Sequence, residues 1–257
     1  MLANIEKFPD GECFNSSAKA ESRYISEKAE RIRQTILYFN HILEDDEYKS
    51  RECKILDIGT SPFTFLYNKY FNAQISTIDL ANLFEKRCKL NNIVFRKCNL
   101  LKEDIPFPDN EFDIVIFTEV FEHLIGPPQL IFSRIRKVLK HKGIMIFSTP
   151  NIASYYNLMM MLLGKSILTP VDLLFKEEAP GRWVAYGYGH WRKFTMKELI
   201  DLLSKYGFEI LKYKRIIKPY VDIKTKNPFK FIKRLGWNAV VSVLPSVQFN
   251  LILARTK

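Results

Sequence analysis

Lys54-Ile55-Leu56-Asp57-Ile58-Gly59-Thr60-Ser61-Pro62 is the stretch around which the rest of the chain arranges itself. Its short, largely apolar run, Lys54–Ile58, has the character of a parallel strand buried on both faces. The run stops at Gly59, where a chain without a Cβ can turn sharply. Ser61 then offers a helix N-cap and Pro62 suits the first helical position, so a helix is expected through Tyr70.

Working outward, strand and helix signals alternate. Gln74–Ile78 reads as a second strand ending at Asp79, Ile93–Lys97 as a third and Phe112–Phe117 as a fourth, with a helix beginning near Glu119. A helix over Pro128–Leu139 leads through the C-cap-like pair Lys142-Gly143 into a strand at Ile144–Ser148. Upstream, Ile32, Ile36, Phe39 and Leu43 recur at helical spacing, so an amphipathic helix over roughly 21–44 is expected to cover the sheet. A less regular stretch runs from Pro150 to about Arg192. Thr195 with Glu198 three residues on forms a capping box, opening a helix that ends at Gly207. Strand Phe208–Tyr213, a basic segment with an amphipathic helix at Phe229–Leu244, and a last strand at Gln248–Ala254 complete the order. The pattern specifies an α/β fold: a doubly wound, mostly parallel seven-stranded sheet with a C-terminal antiparallel strand pair, in three α/β/α layers.

Composition narrows the setting. At 257 residues, 47% hydrophobic and 26% charged, the chain suits one large domain. No apolar stretch approaches the roughly 20 residues that span a bilayer, and the first residues lack the pattern of an export signal. Cys13, Cys53, Cys88 and Cys98 show no CxxC pairing and read as reduced thiols, so a cytoplasmic protein is expected. The net charge of +11 favours an anionic partner: nucleic acid, a phosphorylated or nucleotide-linked substrate, or a membrane surface. Nine basic residues between Lys212 and Arg234 are opposed only by Asp222, and a solvated face accounts for them equally well.

In an open α/β sheet, ligands bind at the carboxyl ends of the strands beside the topological switch point. An acid at Asp79 can accept hydrogen bonds from a ribose diol there. Lys54–Tyr67, Asp79, Cys98-Asn99-Leu100 with Ile105–Asn110, Glu119–Leu124 and Gly143–Asn151 occur in the order found in class I S-adenosylmethionine (AdoMet)-dependent methyltransferases of the type 11/12-like group. The resemblance extends over about residues 30–215. It implies AdoMet as cofactor, contacted by Asp57, Gly59, Thr60, Ser61, Asp79, Asn99, Leu100 and Thr118. Two departures stand out: Ser61 and Phe63 replace glycines of the cofactor loop, and Asn99 replaces an adenine-contacting aspartate. The amide oxygen of Asn99 can still accept from an adenine amino group. No GxGxxG fingerprint is present, which counts against a nicotinamide enzyme. On this reading residues 1–50 are a helical segment of the same domain. Residues 51–257 form the Rossmann-like domain, with an acceptor cap at about 152–190 and a basic amphipathic segment at about 214–245.

Glu119, Glu122 and His123 share one face if they lie on a helix. The pattern resembles the ExxEH element of metal-assisted methyltransferases acting on small-RNA ends and ubiquinone precursors, and His190 occupies the place of a further histidine. Two readings stand: a Mg²⁺ or Mn²⁺ site formed by Glu119, Glu122, His123 and His190, or histidines that only brace the turn. His190 is the expected catalytic group, as base or acceptor contact. The segment around His190 also resembles methyltransferases of polysaccharide biosynthesis. Residues 152–189 read as a lid over the acceptor or as ordinary packing, and Phe229–Leu244 as a membrane-surface helix, a dimer face or core. The expected function is O-methylation of a small molecule or glycan, anionic and lipid- or nucleotide-linked. RNA 2′-O-methylation and a non-catalytic AdoMet-binding role are the alternatives.

Overall fold

The computed structural model of the chain describes residues 32–38, 42, 52–70, 73–173, 175–179, 182–185, 189–217, 229 and 247–257. Strand β1 (Cys53–Ile58) is followed by helix α1 (Pro62–Tyr70), β2 (Ala73–Asp79), α2 (Glu85–Leu90), β3 (Val94–Lys97) and β4 (Phe112–Thr118). Then come α3 (Pro128–Val138), β5 (Leu139–Pro150), α4 (Tyr155–Leu162), the hairpin strands β6 (Phe175–Ala179) and β7 (Arg182–Ala185), α5 (Met196–Lys205), β8 (Phe208–Ile217) and β9 (Val247–Thr256). Seven strands make one sheet in the order β3-β2-β1-β4-β5-β9-β8. The first five are parallel, and β9 pairs antiparallel with both β5 and β8. The expected sheet and its antiparallel pair are therefore present.

The central strands are buried on both faces because successive residues feed two separate cores. Leu56, Val115, Met145 and Phe147 pack with Ile131, Phe132 and Ile135 of α3 and Leu199 and Leu203 of α5. Their neighbours Ile55, Ile114, Ile116, Ile144 and Ile146 pack on the other face with Ile32, Ile36, Tyr67 and Cys88. This period of two explains why the strands read as apolar runs. Residues 32–38 and 42 are helical as expected; Phe39 and Leu43 lie outside the described residues, as do Cys13, Tyr186, Tyr188 and all of the Phe229–Leu244 segment except Phe229.

Three expectations are corrected. The helix expected from Glu119 is only a 3₁₀ turn, Phe121–His123. Glu119 has φ 57°, and its N–H donates to the Ser148 carbonyl at 3.0 Å, which takes the chain off helical register. Lys142-Gly143 is not a helix end: α3 gives way directly to β5, and Lys142, at φ 59°, sits in an irregularity between the pairs Phe112↔Leu139 and Ile114↔Ile144. The stretch after Pro150 holds regular elements, α4 and the β6–β7 hairpin.

Phe132 is fully buried and meets Phe121, Phe147, Phe208 and Tyr206 at centroid distances of 5.3–6.0 Å. Phe132→Ala is expected to cost about 3–5 kcal/mol of unfolding free energy, measured by denaturant titration.

Candidate functional site

The site is assembled from turns at the carboxyl ends of β1, β2 and β4. Gly59 leaves β1 with φ +90°, and a Cβ there would lie 2.5 Å from Val120 Cγ2. Glycine is required on both counts. The Gly59 N–H donates to Ile78 O at 2.9 Å, tying the loop to β2. Thr60 Oγ1 lies 2.9 Å from Thr77 Oγ1, which in turn donates to the Asp57 carbonyl at 2.9 Å. Buried Asp57 accepts from Thr64 Oγ1 at 2.5 Å, and Thr64 Oγ1 accepts from the Ser61 N–H at 3.0 Å. Ser61 Oγ accepts from the Phe63 N–H at 3.2 Å and so caps α1 as expected. Asp57 thus braces the loop from below.

The two residues that depart from the glycine loop are turned away from it or into the helix start. Phe63 is 3% exposed and packs in the core, and Ser61 has ordinary backbone geometry with its hydroxyl turned to the helix start. The cradle keeps its one indispensable glycine, Gly59.

Asp79 stands at the end of β2, partly exposed, with Oδ1 accepting from the Ala81 N–H at 2.9 Å. Burial raises its pKa above the usual carboxylate value, opposed by backbone donors from Ala81, Thr60 and Leu80. The donor from Thr60 places this carboxylate against the β1 loop. Asn99 Oδ1 accepts from the Leu101 N–H at 3.1 Å, leaving one lone pair for an adenine amino group. Leu100 is buried in the core, and its carbonyl accepts from Arg134 Nη1 at 2.7 Å. Thr118, half-buried, ends β4 in register with Ser148.

Just after β4 the turn Phe121–His123 brings three ligating groups together. Glu122, His123 and His190 each present an atom within 4.8 Å of the others. Glu122 Oε1 lies 3.9 Å from His123 Nε2 and 3.8 Å from His190 Nε2, and the two imidazole centroids are 4.8 Å apart. Glu119 stands outside this group, because its Oε1 accepts from Ser148 Oγ at 2.9 Å. A left-handed Glu costs about 1–2 kcal/mol, and the two bonds to Ser148 offset it. The four ligands expected, three of them on one helical face, are therefore reduced to three, Glu122, His123 and His190, with the first two carried on a turn.

His123 Nδ1 lies 3.1 Å from the Gly189 carbonyl. A carbonyl only accepts, so Nδ1 carries the proton and Nε2 keeps its lone pair toward Glu122 and His190. Burial pulls the His123 pKa below its ordinary value, only partly countered by Gly189. His190 is held through its N–H to Thr169 Oγ1 at 3.0 Å, and Trp191 through its N–H to Glu122 O at 3.2 Å and Nε1 to Leu124 O at 3.0 Å. Phe194 stacks on Phe121 at 4.9 Å, joining the His190 segment to the turn.

Sequence reasoning missed Asn157 and Lys193. Asn157 donates from Nδ2 to Asn151 O at 2.8 Å, and Lys193 Nζ donates to Asn157 Oδ1 at 3.4 Å. Burial lowers the Lys193 pKa. Ser154 three residues before Asn157 was the available signal: its Oγ caps α4 by accepting from the Asn157 N–H at 3.2 Å.

The comparisons fit this geometry. Residues 56–147 match the family described as "Methyltransferase domain" (Methyltransf_11). Over that stretch the chain is similar to methyltransferase domains. A probable S-adenosylmethionine-dependent methyltransferase of Mycolicibacterium smegmatis is 27% identical over 132 residues, 51% of this chain and 41% of that protein. The ubiquinone biosynthesis O-methyltransferase of Cereibacter sphaeroides is 30% identical over 112 residues, 43% of this chain and 40% of that protein. The chain thus matches about two fifths of the length of these curated relatives. In fold, the chain resembles a SAM-dependent methyltransferase of Archaeoglobus fulgidus (TM-score 0.54, 16% identity, covering 91% of this chain and 99% of that one). It also resembles the PH0226 protein of Pyrococcus horikoshii (TM-score 0.53, 19% identity, covering 99% of each chain).

With His123 neutral in the fold, its titration midpoint should fall below the ordinary value of 6.5. Its contribution to stability is present above 6.5 and is lost as pH falls from there through the lowered value. NMR titration of the imidazole checks this; a midpoint above 6.5 contradicts the assignment.

Proposed function

We propose that this chain transfers a methyl group from AdoMet to a hydroxyl oxygen of a small molecule or glycan bearing negative charge. The observation that carries the reading is the pairing of two half-sites. The Gly59 loop, next to Asp79, meets Val120, one residue before the turn that brings Glu122 and His123 to His190. The likeness to a ubiquinone biosynthesis O-methyltransferase supports a hydroxyl acceptor, and the partly buried Lys193 and the net charge of +11 support an anionic one.

When bound, AdoMet supplies a methyl group already activated by its sulfonium charge. Asp79 would accept from the ribose hydroxyls, and Asn99 would meet the adenine amino group. Asp57 would keep the Gly59–Ser61 turn in the shape the methionine end requires. Holding acceptor oxygen and methyl carbon in line is worth about 7–11 kcal/mol. His190 Nε2 would take the hydroxyl proton as the new carbon–oxygen bond forms and the carbon–sulfur bond breaks. The buried Glu122 carboxylate, its Oε1 3.8 Å from that same nitrogen, would favour the resulting imidazolium. Residues 152–190 would close over the acceptor and exclude water.

A second reading is favoured by the tautomer of His123. Two imidazoles and one carboxylate are a fitting donor set for a divalent ion, and they suit Mn²⁺ better than Mg²⁺, which prefers all-oxygen ligands. Glu122, His123 and His190 would hold such an ion, which would acidify the acceptor hydroxyl.

Isothermal titration should detect AdoMet binding that Asp79→Asn weakens by about tenfold or more. No binding by folded protein removes the enzyme reading. Methyl transfer from labelled AdoMet should then be assayed against phenols, nucleotide- and lipid-linked sugars, and RNA. His190→Ala should lower turnover by about 10²–10⁴-fold while AdoMet affinity holds. Full activity in excess chelator rules out the metal reading, whereas loss restored by Mn²⁺ supports it.

A further inference from the structure

Helix α4 exposes apolar side chains that its own fold does not cover. Leu162 is 81% exposed, Leu163 61%, Met159 52% and Tyr156 50%, and residues 152–164 carry no charge. At about 100° per residue, the exposed positions 155, 156, 158, 159, 161 and 162 spread over more than half the helix circumference. A folded protein partner usually covers a stripe of about 100°; a hydrocarbon surface can surround the wider arc. The root of the helix is fastened inward through buried Asn157 and its bond to the Asn151 carbonyl. Contiguous exposed apolar surface of this kind marks a contact site.

Charge indicates the surface that fits. α4 rises just beyond the carboxyl end of β5. At the same end of the sheet, Lys214 and Arg215 of β8 are in register with Leu251 and Asn250 of β9, which pair with Ser148 and Thr149 of β5. Lys212, Lys214 and Arg215 are exposed, as is Lys165 just past the helix. An apolar tip with tyrosines at its start and a basic flank is the composition of an interfacial anchor on acidic lipids.

We propose that α4 embeds its exposed residues in the interface of an anionic bilayer, with the basic edge of β8 facing the headgroups. The lip formed by α4, Lys193 and His190 then faces the membrane, so an acceptor carried on a lipid reaches the site without leaving the bilayer. No helix among the described residues is long and apolar enough to cross a membrane.

Co-sedimentation of the full chain with vesicles tests this independently of catalysis. The protein should pellet with phosphatidylcholine vesicles containing about one third phosphatidylglycerol and much less with phosphatidylcholine alone. Leu162→Glu with Leu163→Glu should weaken the association at least about tenfold, with circular dichroism and AdoMet affinity unchanged. Equal pelleting of parent and variant overturns the proposal, as does indifference to lipid charge. So does a parent dimer in analytical ultracentrifugation that the double substitution turns to monomer, since a second copy would then be what covers α4.

Discussion

At Gly59 the backbone turns off β1 directly beneath Val120, and the space for a Cβ is already taken by the Val120 methyl. Two turns from different strands are seated on each other there. Val120 lies between Glu119, bonded to Ser148 of β5, and Phe121, embedded in the aromatic core. Gly59 also donates to the last turn of β2 at Ile78. One contact therefore sets the mutual position of the β1 loop, Asp79 and the Glu122–His123 turn.

Phe121 extends that constraint to the segment that carries His190. Its ring stacks on Phe194 and meets Phe117, Phe132 and Phe147. Such pairs are worth about 0.5–1.5 kcal/mol each beyond area burial. Glu122 and His123 follow Phe121 directly in the chain, and His190 and Lys193 sit just ahead of Phe194. The ring stack thus ties Glu122 and His123 on one side to His190 and Lys193 on the other. A core substitution there would move the site as well as loosen the fold.

The strands were legible because burial on both faces leaves apolar runs, and the caps at Ser61 and Thr195 because their partners lie within three residues. Asp57 and Asp79 followed from where those strands stop. The turn at Glu119 was not legible, since its left-handed conformation depends on Ser148, 29 residues on. The role of Asn157 depended on Asn151 and Lys193, on separate segments. His190 was found by resemblance; its partners Glu122 and Thr169 come from distant parts of the chain. Local signals carried the frame, and long-range hydrogen bonds decided how the site residues point.

The position of β9 bears on how the sheet comes into being during synthesis. β5 and β8 have no direct ladder with each other; β9 lies between them and pairs with both. β9, which follows β8 in the chain, therefore fills an interior place. Until residues 247–256 leave the ribosome, β5 presents an open edge and β8 has no neighbour in the sheet. Such unpaired edges invite association with other chains. Joining β8 to β5 must wait until residues 247–256 are made, and a nascent chain is most in need of protection just before β9 arrives.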